Sequence, residues 1–461
     1  MAKLTEKIGY GMGDMASSMF WKIFSYYLPI FYSDIFQLSL THTATLMFVT
    51  RVWDAVSDPM MGAVCDRTNT RWGKYRPYLL WFSLPFAISG VLLFTTPDCD
   101  EQGRLIYAYI TYILMMTVYT CINVPYASML GVITSDSYEK TVFSSYRMFF
   151  AYGGSFIALY AWEPLCKLFS DNKLFFITVK GDAGAWQGAM MVIAAVCFLL
   201  FIGSFLLTRE HVKGVKGDKL INDFRSLVRN FPWWIITCTA LCTNLFNTVR
   251  GATVAYYFKY YIGDSNMVDL GFVSFLFYAG VFLAIGEVCN MIGVACAMPL
   301  SKRLGKKTTF LVSAVVMGAL SILFFYMPLS NGGFICILLL QVLISIFTGV
   351  VSPLVWSMYA DVADYSYYKH GTASTALIFS SGSMAQKFGG AIAGSAVLLL
   401  FSVMGLQPNS ATQTPSAIFG MKLAMSYIPA FISLLIVGLM VLYPLTTKRI
   451  EEFKSSDVER Q

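Results

Sequence analysis

Three charged residues stand within eight positions of an otherwise apolar segment: Arg51, Asp54 and Asp58, in RVWDAVSDPMMG. Their spacing of three and four residues places all three side chains on one face of a helix. Two carboxylates one turn apart repel each other unless a sodium ion, a proton or a basic side chain lies between them. We therefore predict a cation site at Asp54 and Asp58. The alternative is an Arg51–Asp54 ion pair that joins two helices.

The sequence around these charges is that of a membrane protein. The 461 residues are 57% hydrophobic and 13% charged, whereas ordinary soluble domains carry about 25% charged residues. Helices are the structures that segments of this length and apolarity form in a bilayer. We predict an all-α membrane protein with twelve transmembrane helices, near residues 14–36, 43–66, 77–97, 105–131, 146–169, 186–208, 233–262, 268–298, 308–328, 333–361, 372–405 and 417–446.

The loops predict the orientation and the division into halves. Basic residues cluster after the second, sixth and eighth spans and in the tail, so the even-numbered loops and both termini are expected in the cytoplasm. The net charge of +7 is then a topology signal and not a nucleic-acid site. The polar linker 209–232 separates the six-helix halves 1–208 and 233–446 from each other, and 447–461 forms a tail. Spans 2 and 8 both end in a short basic loop with a glycine, which predicts two pseudo-symmetric halves of the major facilitator type.

Further charges inside the predicted spans need an explanation, because each costs about 2.5 to 3.5 kcal/mol at mid-bilayer. Lys387 lies among small residues that allow another helix to approach closely, so it either faces Asp54 or Asp58 or snorkels to the interface. Asp14 is either a substrate acceptor or a charge at a helix N-terminus. Arg147 either reaches a central cavity or anchors the membrane interface.

The remaining charged positions are expected to serve structure or gating, and no motif indicates catalysis. Asp361 and Asp364 end span 10 and are predicted to form a gate or a salt-bridge lock. Arg51 and Arg250 are likewise expected to serve gating or structure. The ten cysteines occur singly, without a CxxC or a Cys/His cluster. We expect no cofactor, no metal other than a sodium ion at Asp54 and Asp58, and neither an enzyme nor a sensor.

The chain resembles the glycoside–pentoside–hexuronide:cation symporters, the branch of the major facilitators that includes the melibiose permease. The similarity runs nearly end to end. Its most specific pieces are RVWDAVSDPMMG at 51–62 and the stretch from ADVADYSYYKHGTAS to SGSMAQKFGG at 360–390. The resemblance implies cation-coupled sugar symport by alternating access, with both ligands in one central cavity. It also implies a monomer in the bilayer of the bacterial inner membrane.

The resemblance also assigns residues to the two ligands. The cation residues are Asp54, Asp58, Thr120 and Asn123, and the sugar residues are Asp14, Ser18, Tyr119, Asn123, Arg147, Ser383 and Lys387. Ser18 and Asn123 stand where the melibiose permease has aspartates, and Ala127 stands where it has a tryptophan. We therefore do not predict melibiose, and the coupling ion is either sodium or a proton. The alternatives on the same scaffold are an uncoupled sugar uniporter and a carrier of lysolipids or other amphiphiles.

Overall fold

The computed structural model describes the chain at residues 3–134, 137–170, 181–211, 230–263, 266–269, 274–370, 375–410 and 412–445. The chain divides into two compact units. Unit 1 contains Met1–Lys216 with two short later segments, Ala279–Ala284 and Leu398–Gln413, and unit 2 contains the rest. The main boundary therefore falls inside the predicted linker 209–232. Because two segments of the second half belong to unit 1, the proposed division into halves stays a prediction.

Unit 1 is built from long helices. They are α1 (Leu4–Tyr26), α2 (Leu28–Ile30) with a π-helical turn (Phe31–Ile35), α3 (Leu40–Arg67), α4 (Arg76–Leu93), α5 (Glu101–Ile133), α6 (Ser137–Ser170) and α7 (Gly181–Leu207). Polar caps begin two of them: Ser39 accepts a hydrogen bond from the amide of His42 before α3, and Asp100 accepts one from Gly103 before α5. The helix α1 packs against α6 and α7, and α3 packs against α5.

Glycines bring α1 into close contact with α5, through Gly13, and with α6, through Gly11 and Gly154. A Cβ atom on Gly13 would lie 2.5 Å from the Tyr126 ring, and one on Gly154 would lie 2.7 Å from the carbonyl oxygen of Met15. Gly11 is similarly pressed against Phe150. The close packing that the small residues around position 14 predict is therefore present.

Unit 2 contains helices and one small hairpin. The elements are α8 (Phe231–Tyr257) with a π-helical turn (Phe258–Ile262), β1 (Met267–Asp269), β2 (Ser274–Leu276), α9 (Ala279–Leu304), α10 (Lys306–Phe324), α11 (Asn331–His370), α12 (Thr375–Val403), α13 (Pro415–Met425) and α14 (Tyr427–Leu442). The strands β1 and β2 are antiparallel. The first residues of α9 and the last of α12 belong to unit 1. The helix α10 packs against α11 and α14, and α8 packs against α13 and α14.

The repeated glycine loops have the same backbone feature. Gly73 has a φ of +117° and Gly305 a φ of +81°, both in the left-handed region, and each lies directly before or near the start of the next helix. In the first loop the carboxylate of Glu210 accepts hydrogen bonds from the amides of residues 74–76 at 2.7 to 2.8 Å. Glu210 therefore satisfies donors at the N-terminus of α4, where a negative charge is stabilising.

Hydropathy locates the spans better than their ends. Span 8, predicted to begin at 268, starts with the hairpin, and its helix begins only at Ala279. Span 1 is one helix from Leu4 to Tyr26 followed by a break, and span 10 continues as a helix to His370. The final span is broken at Ser426 between α13 and α14. Polar helical turns beyond the apolar core explain why span 1 begins at Leu4 and span 10 continues to His370. They do not explain the late start of span 8 or the break at Ser426.

Eight segments of the described residues are long and apolar enough to cross a membrane, with α13 and α14 counted as one. The long helices α1, α3, α6 and α8 are not among these eight, and with them the twelve predicted segments are complete. The first three carry Asp14, the Arg51 to Asp58 group and Arg147. Charged residues inside these three helices contribute to their lower hydropathy.

Candidate functional site

Four oxygen-bearing side chains meet between α3 and α5 in unit 1. The hydroxyl of Thr120 on α5 lies 3.3 Å from Oδ1 of Asp54 and 3.2 Å from Oδ1 of Asp58. The Ser57 hydroxyl lies 3.1 Å from that of Thr120. Asp54 is 1% exposed and Thr120 is 2% exposed, so the centre of this cluster is sealed from solvent. We call these four residues the oxygen cluster.

The local sequence explains how the cluster forms. Asp54, Ser57 and Asp58 are spaced by three and four residues within α3, so they share one face of the helix, as predicted. That face lies against α5, where Thr120 occupies the facing turn. One turn earlier on α5, Thr117 accepts a hydrogen bond of 2.8 Å from the indole nitrogen of Trp53. This contact fixes the register of the two helices next to the cluster.

The cluster has the chemistry of a site for a small hard cation or a proton. It combines two carboxylates with two hydroxyls, and each hydroxyl has one proton to donate and lone pairs to accept. Two carboxylates that share a hydroxyl repel each other when both are charged, and a bound cation or proton removes that repulsion. Within the described residues, no group of three or more His, Cys, Asp or Glu side chains could hold a metal ion. A cation site here would therefore need further oxygen ligands besides the two carboxylates, and the two hydroxyls are suitable ones.

Asn123, which the resemblance assigns to both ligands, does not join the cluster in the described structure. Its amide nitrogen donates to the carbonyl oxygen of Tyr119 on its own helix at 3.1 Å. The residue is partly exposed. Its role in cation or sugar binding stays a prediction.

Arg51 does not form the ion pair with Asp54 that the sequence leaves open. In the described part of the chain, its guanidinium makes no ion pair with a carboxylate and lies over the ring of Trp21 on α1, 4.2 Å from the centroid. The Trp21 ring is also 5.4 Å from that of Tyr119. A cation–π contact therefore joins α3 to α1 next to the oxygen cluster.

Asp14 and Arg147 form a second polar group of unit 1, between α1 and α6. The guanidinium donates to both carboxylate oxygens, with Nε 3.0 Å from Oδ2 and Nη2 3.4 Å from Oδ1. The Arg147 side chain is 33% exposed and that of Asp14 is 12% exposed. The planar, two-pronged pairing is the arrangement in which Arg recognises carboxylates most strongly.

Both members of this pair lie well inside their helices. Asp14 lies ten residues after Leu4, so it is not a charge at the N-terminus of a helix. Arg147 lies ten residues after Ser137 in α6, and whether it reaches a central cavity or anchors the membrane interface stays a prediction. Beside the pair, Tyr126 stacks on Tyr10 with 4.8 Å between the ring centroids, and its hydroxyl donates to the Tyr10 carbonyl. The ion pair therefore lies inside both helices, ten residues after the first residue of each.

One stripe of α1 is accessible next to these groups. Beyond Gly13, the partly exposed residues of α1 are Met15, Ser18, Trp21, Lys22, Ser25 and Tyr26, and the residues between them are buried. This three-to-four spacing defines a single face of the helix. The amino group of Lys22 lies 3.4 Å from the hydroxyl of Tyr26. A stripe with serines, a lysine and an indole is suited to a polar ligand and not to lipid.

Lys387 and Ser383 lie on α12 in unit 2. Lys387 is partly exposed and Ser383 is exposed. A Cβ atom on Gly389 would lie 2.7 Å from the Leu241 carbonyl of α8, and one on Gly382 would lie 2.7 Å from the Tyr359 ring. The close helix packing predicted for this segment is present, while the predicted pairing of Lys387 with the carboxylates of unit 1 stays a prediction.

Arg250 holds together the broken last span of unit 2. It is 6% exposed, and it donates to the Met425 carbonyl at 3.0 Å and to the Gln341 side chain at 2.7 Å. Met425 ends α13 directly before the break at Ser426, where a carbonyl loses its helical partner. The guanidinium also lies over the Phe324 ring at 4.9 Å. These contacts agree with the structural role given to Arg250.

Asp361 forms an ion pair within unit 2. Both of its oxygens lie 2.7 Å from the amino group of Lys306, at the start of α10. This is the salt-bridge form of the predicted gate or lock, and it joins α11 to α10. The side chain of Asp364 lies outside the described ones.

Two residues of unit 1 take part in these groups although the sequence did not assign them a role. Ser57 joins the oxygen cluster, and Trp21 binds the guanidinium of Arg51. Ser57 could have been found from its position between Asp54 and Asp58 on the same helical face. Trp21 gives no comparable signal, because most aromatic residues of a helical bundle pack in its core or at its interfaces.

Comparison with known proteins gives the family. The family profile described as MFS/sugar transport protein matches residues 9–447. A proposed glycoside/cation symporter of Escherichia coli (strain K12) is 34% identical over 456 residues, which are 98% of this chain and 94% of that protein. The isoprimeverose transporter of Lactiplantibacillus pentosus is 30% identical over 436 residues, which are 93% of this chain and 86% of that protein.

Solved structures confirm the fold. A crystal structure of the nucleoside transporter NupG matches 95% of this chain and 99% of its own, with a TM-score of 0.67 and 13% identity. At this identity the likeness shows the fold alone. The predicted fold of twelve membrane helices is therefore confirmed. The family profile and the sequence relatives show that the chain is a multi-pass membrane transporter and not an enzyme. It belongs to the glycoside–pentoside–hexuronide symporters, a sugar-transporting branch of the major facilitator superfamily.

Proposed function

We propose that this transporter carries a sugar by symport with sodium or a proton, and that the oxygen cluster binds the coupling ion. The observation that carries the proposal is the Thr120 hydroxyl, which lies within 3.3 Å of both the Asp54 and the Asp58 carboxylate. A structural ion pair would join opposite charges, whereas this arrangement brings two like charges onto one neutral group. Such a pair gains stability when a cation enters.

The sugar is proposed to bind beside Asp14 and Arg147, along the accessible stripe of α1. The ion pair is partly exposed through Arg147, so its hydrogen-bonding groups are available to hydroxyls. Ser18 lies one turn from Asp14 on the same stripe. The aromatic ring of Tyr119 adds a surface for the apolar face of a sugar. Asn123, Ser383 and Lys387 keep the roles that the family resemblance implies.

Coupling follows from the proximity of the two groups along α1, α3 and α5. A cation at the oxygen cluster cancels the negative charge of Asp54 and Asp58. Basic side chains at the sugar site are then no longer attracted to these carboxylates and can bind the sugar. Each ligand then increases the affinity of the protein for the other by the same factor. Alternating access of one central site to the two membrane sides would convert this coupling into uphill transport.

The first experiment measures the melting temperature of the purified protein with isoprimeverose, methyl β-glucuronide and other glycosides, each in sodium and in potassium chloride at fixed pH. A ligand that binds the folded state raises the melting temperature. A sugar shift that sodium enhances supports sodium symport, and one that depends on pH alone supports proton symport. A shift indifferent to both would indicate a uniporter. A response to lysophospholipid with no response to any sugar would refute the proposal.

The second experiment tests the cation residues in proteoliposomes. Asp54→Asn and Asp58→Asn should abolish sugar accumulation driven by a cation gradient, while exchange of sugar across the membrane continues. Asp34→Asn is the matched control, because Asp34 is a carboxylate with 2% exposure in the π-helical turn outside the cluster. If both cluster variants accumulate sugar as the wild type does, the cation assignment is wrong.

We also propose cytoplasmic termini and a monomeric transporter in the bacterial inner membrane. The orientation can be tested at Cys99, an exposed thiol in the loop between α4 and α5. In a Cys336→Ser protein, which lacks the other exposed thiol, a membrane-impermeant maleimide should label Cys99 on intact spheroplasts, and Cys99→Ser should remove that label. Labelling only after lysis would reverse the orientation. Light scattering of the detergent-solubilised protein would measure its oligomeric state.

A further inference from the structure

We propose that Trp21 is a positioning residue for the cation site, because it holds the charge of Arg51 away from Asp54. The inference rests on the proposed function, since it assumes that the oxygen cluster binds the coupling ion. It concerns a residue on α1, the helix that carries the proposed sugar groups. Trp21 would thereby prevent Arg51 from competing with the coupling cation for Asp54.

The starting point is the spacing of Arg51 and Asp54. Residues three apart on a helix are neighbours, and an Arg and an Asp at this spacing ordinarily attract each other. Within the described residues, however, Arg51 has no ion pair, and its guanidinium lies 4.2 Å from the centroid of the Trp21 ring. A contact between helices has therefore replaced the local ion pair. The ring is the group that keeps the guanidinium in this position.

The ring is itself fixed by neighbours that lead back to the cluster. Its centroid is 5.4 Å from that of Tyr119, and Tyr119 is 6.1 Å from the buried ring of Phe86. Tyr119 directly precedes Thr120, whose hydroxyl lies between the two carboxylates. Trp21 thus contacts both helices of the oxygen cluster, through Arg51 on α3 and through Tyr119 on α5.

Removal of the ring has a defined consequence. Without a surface to lie on, the guanidinium would turn toward Asp54, one turn away, and act as a built-in substitute for the coupling cation. An external cation would then have to displace a tethered positive charge. Loss of Trp21 should consequently weaken cation binding although Trp21 touches no cation ligand.

Trp21 also lies where the sugar can affect it. The ring is partly exposed on the same stripe of α1 as Ser18, one turn from it. A sugar that contacts this stripe meets the ring whose other neighbour is Arg51. The same residue therefore connects the proposed sugar groups to the charge that controls the cation site.

The test measures the melting temperature of the purified protein in two series. In the first, the sodium chloride concentration varies at constant ionic strength. In the second, the pH varies in the absence of sodium. Trp21→Leu should weaken the apparent sodium affinity roughly tenfold, as expected for loss of a partly buried cation–π contact. If the coupling ion is a proton, the pH of the half-maximal effect should fall by about one unit. Trp21→Phe keeps a weaker ring and should show a smaller shift of the same sign.

The combination with Arg51→Gln separates positioning from general damage. In this background no guanidinium competes for Asp54, so Trp21→Leu should no longer change the cation affinity. Trp186→Phe is the matched control, because Trp186 belongs to a separate aromatic group with Trp162 on α7 and α6. A purely structural effect of Trp21→Leu would persist with Arg51→Gln present.

Two results would overturn the inference. The first is that Trp21→Leu leaves the cation dependence of the melting temperature unchanged. If Trp21→Leu does not fold, the same result for Trp21→Phe would count. The other is an effect of equal size with and without Arg51. A wild-type protein that responds neither to sodium nor to pH would refute the symport proposal and, with it, this inference. A wild type that responds while the Trp21 variants do not differ from it would refute only the role of Trp21.

Discussion

Replacement of Thr120 by valine should distinguish sodium from proton coupling, because the two ions predict effects of opposite sign. Valine has nearly the shape of threonine, so the packing between α3 and α5 is preserved and only the hydroxyl is lost. That hydroxyl lies 3.3 Å from Asp54 and 3.2 Å from Asp58, and Ser57 lies 3.1 Å from it. The substitution therefore removes a ligand oxygen and a hydrogen-bond donor at once.

The size of the effect follows from these distances. A hydrogen bond to a charged group contributes about 1.5 to 3 kcal/mol, and the single proton of Thr120 can serve one carboxylate at a time. Because the contacts are long, we take the lower end, which corresponds to a factor of about ten in affinity. A bound sodium ion would lose an oxygen ligand, so the sodium concentration for half-maximal sugar uptake should rise about tenfold.

If the coupling ion is a proton, loss of the Thr120 hydroxyl should increase the affinity for that ion instead of lowering it. The hydroxyl stabilises the charged carboxylate, so without it the carboxylate takes up a proton more readily. The pH of half-maximal uptake should then rise by about one unit. The assay is sugar uptake into proteoliposomes as a function of sodium at fixed pH and of pH without sodium. Thr120→Ser retains the hydroxyl and should behave like the wild type. If Thr120→Val changes neither dependence, the oxygen cluster does not bind the coupling ion.

Three further substitutions test other parts of the structure. Gly73→Ala introduces a methyl group 2.5 Å from the Glu210 carboxylate at a position where φ is +117°. It should lower the free energy of unfolding by about 1 to 3 kcal/mol, which a lower melting temperature would show. Gly62→Ala is the control, because open space surrounds Gly62 and the melting temperature should not fall. Arg250→Met leaves the Met425 carbonyl and the Gln341 side-chain oxygen without this donor, and the melting temperature should fall by the equivalent of about 3 kcal/mol. An unchanged melting temperature would contradict the role of Arg250 at the helix break. Asp14→Asn leaves its arginine partner without a counter-charge and should weaken sugar binding about tenfold or more while sodium still stabilises the protein; equal loss of both ligands would indicate misfolding.

The residues inside the spans show which features could be predicted. Apolar length located all twelve membrane segments, because a bilayer requires about 20 apolar residues for each. It did not locate their ends, since polar turns continue α1 back to Leu4 and α6 back to Ser137. Because of those extra turns, Asp14 and Arg147 lie inside their helices and not at the helix ends, and they pair with each other. Their roles in sugar binding stay predictions.

Within the oxygen cluster, the sequence spacing predicted which side chains share a face of one helix. It did not predict which residues of other helices they contact. Asp54 and Asp58 share a face of α3 by arithmetic alone. Thr120 came from the family resemblance, because the register of α5 against α3 cannot be read from either sequence. The contact of Arg51 could not be predicted from spacing either. Local spacing favours an ion pair with Asp54, but the guanidinium lies over the Trp21 ring of α1 instead. Tertiary contacts thus decide between alternatives that the helix leaves open.

The distribution of polar residues among the helices indicates where ligand binding stabilises the protein. The charges of Asp14 and Arg147 cancel each other within their pair. At the oxygen cluster, the Thr120 hydroxyl lies within hydrogen-bonding distance of both Asp54 and Asp58, and two carboxylates that share one neutral donor repel each other when both are charged. Burial of a charge in the membrane costs several kcal/mol, so a bound cation would recover part of that free energy. Since a ligand of the folded state adds its binding free energy to stability, the coupling ion should stabilise unit 1 even when no sugar is present.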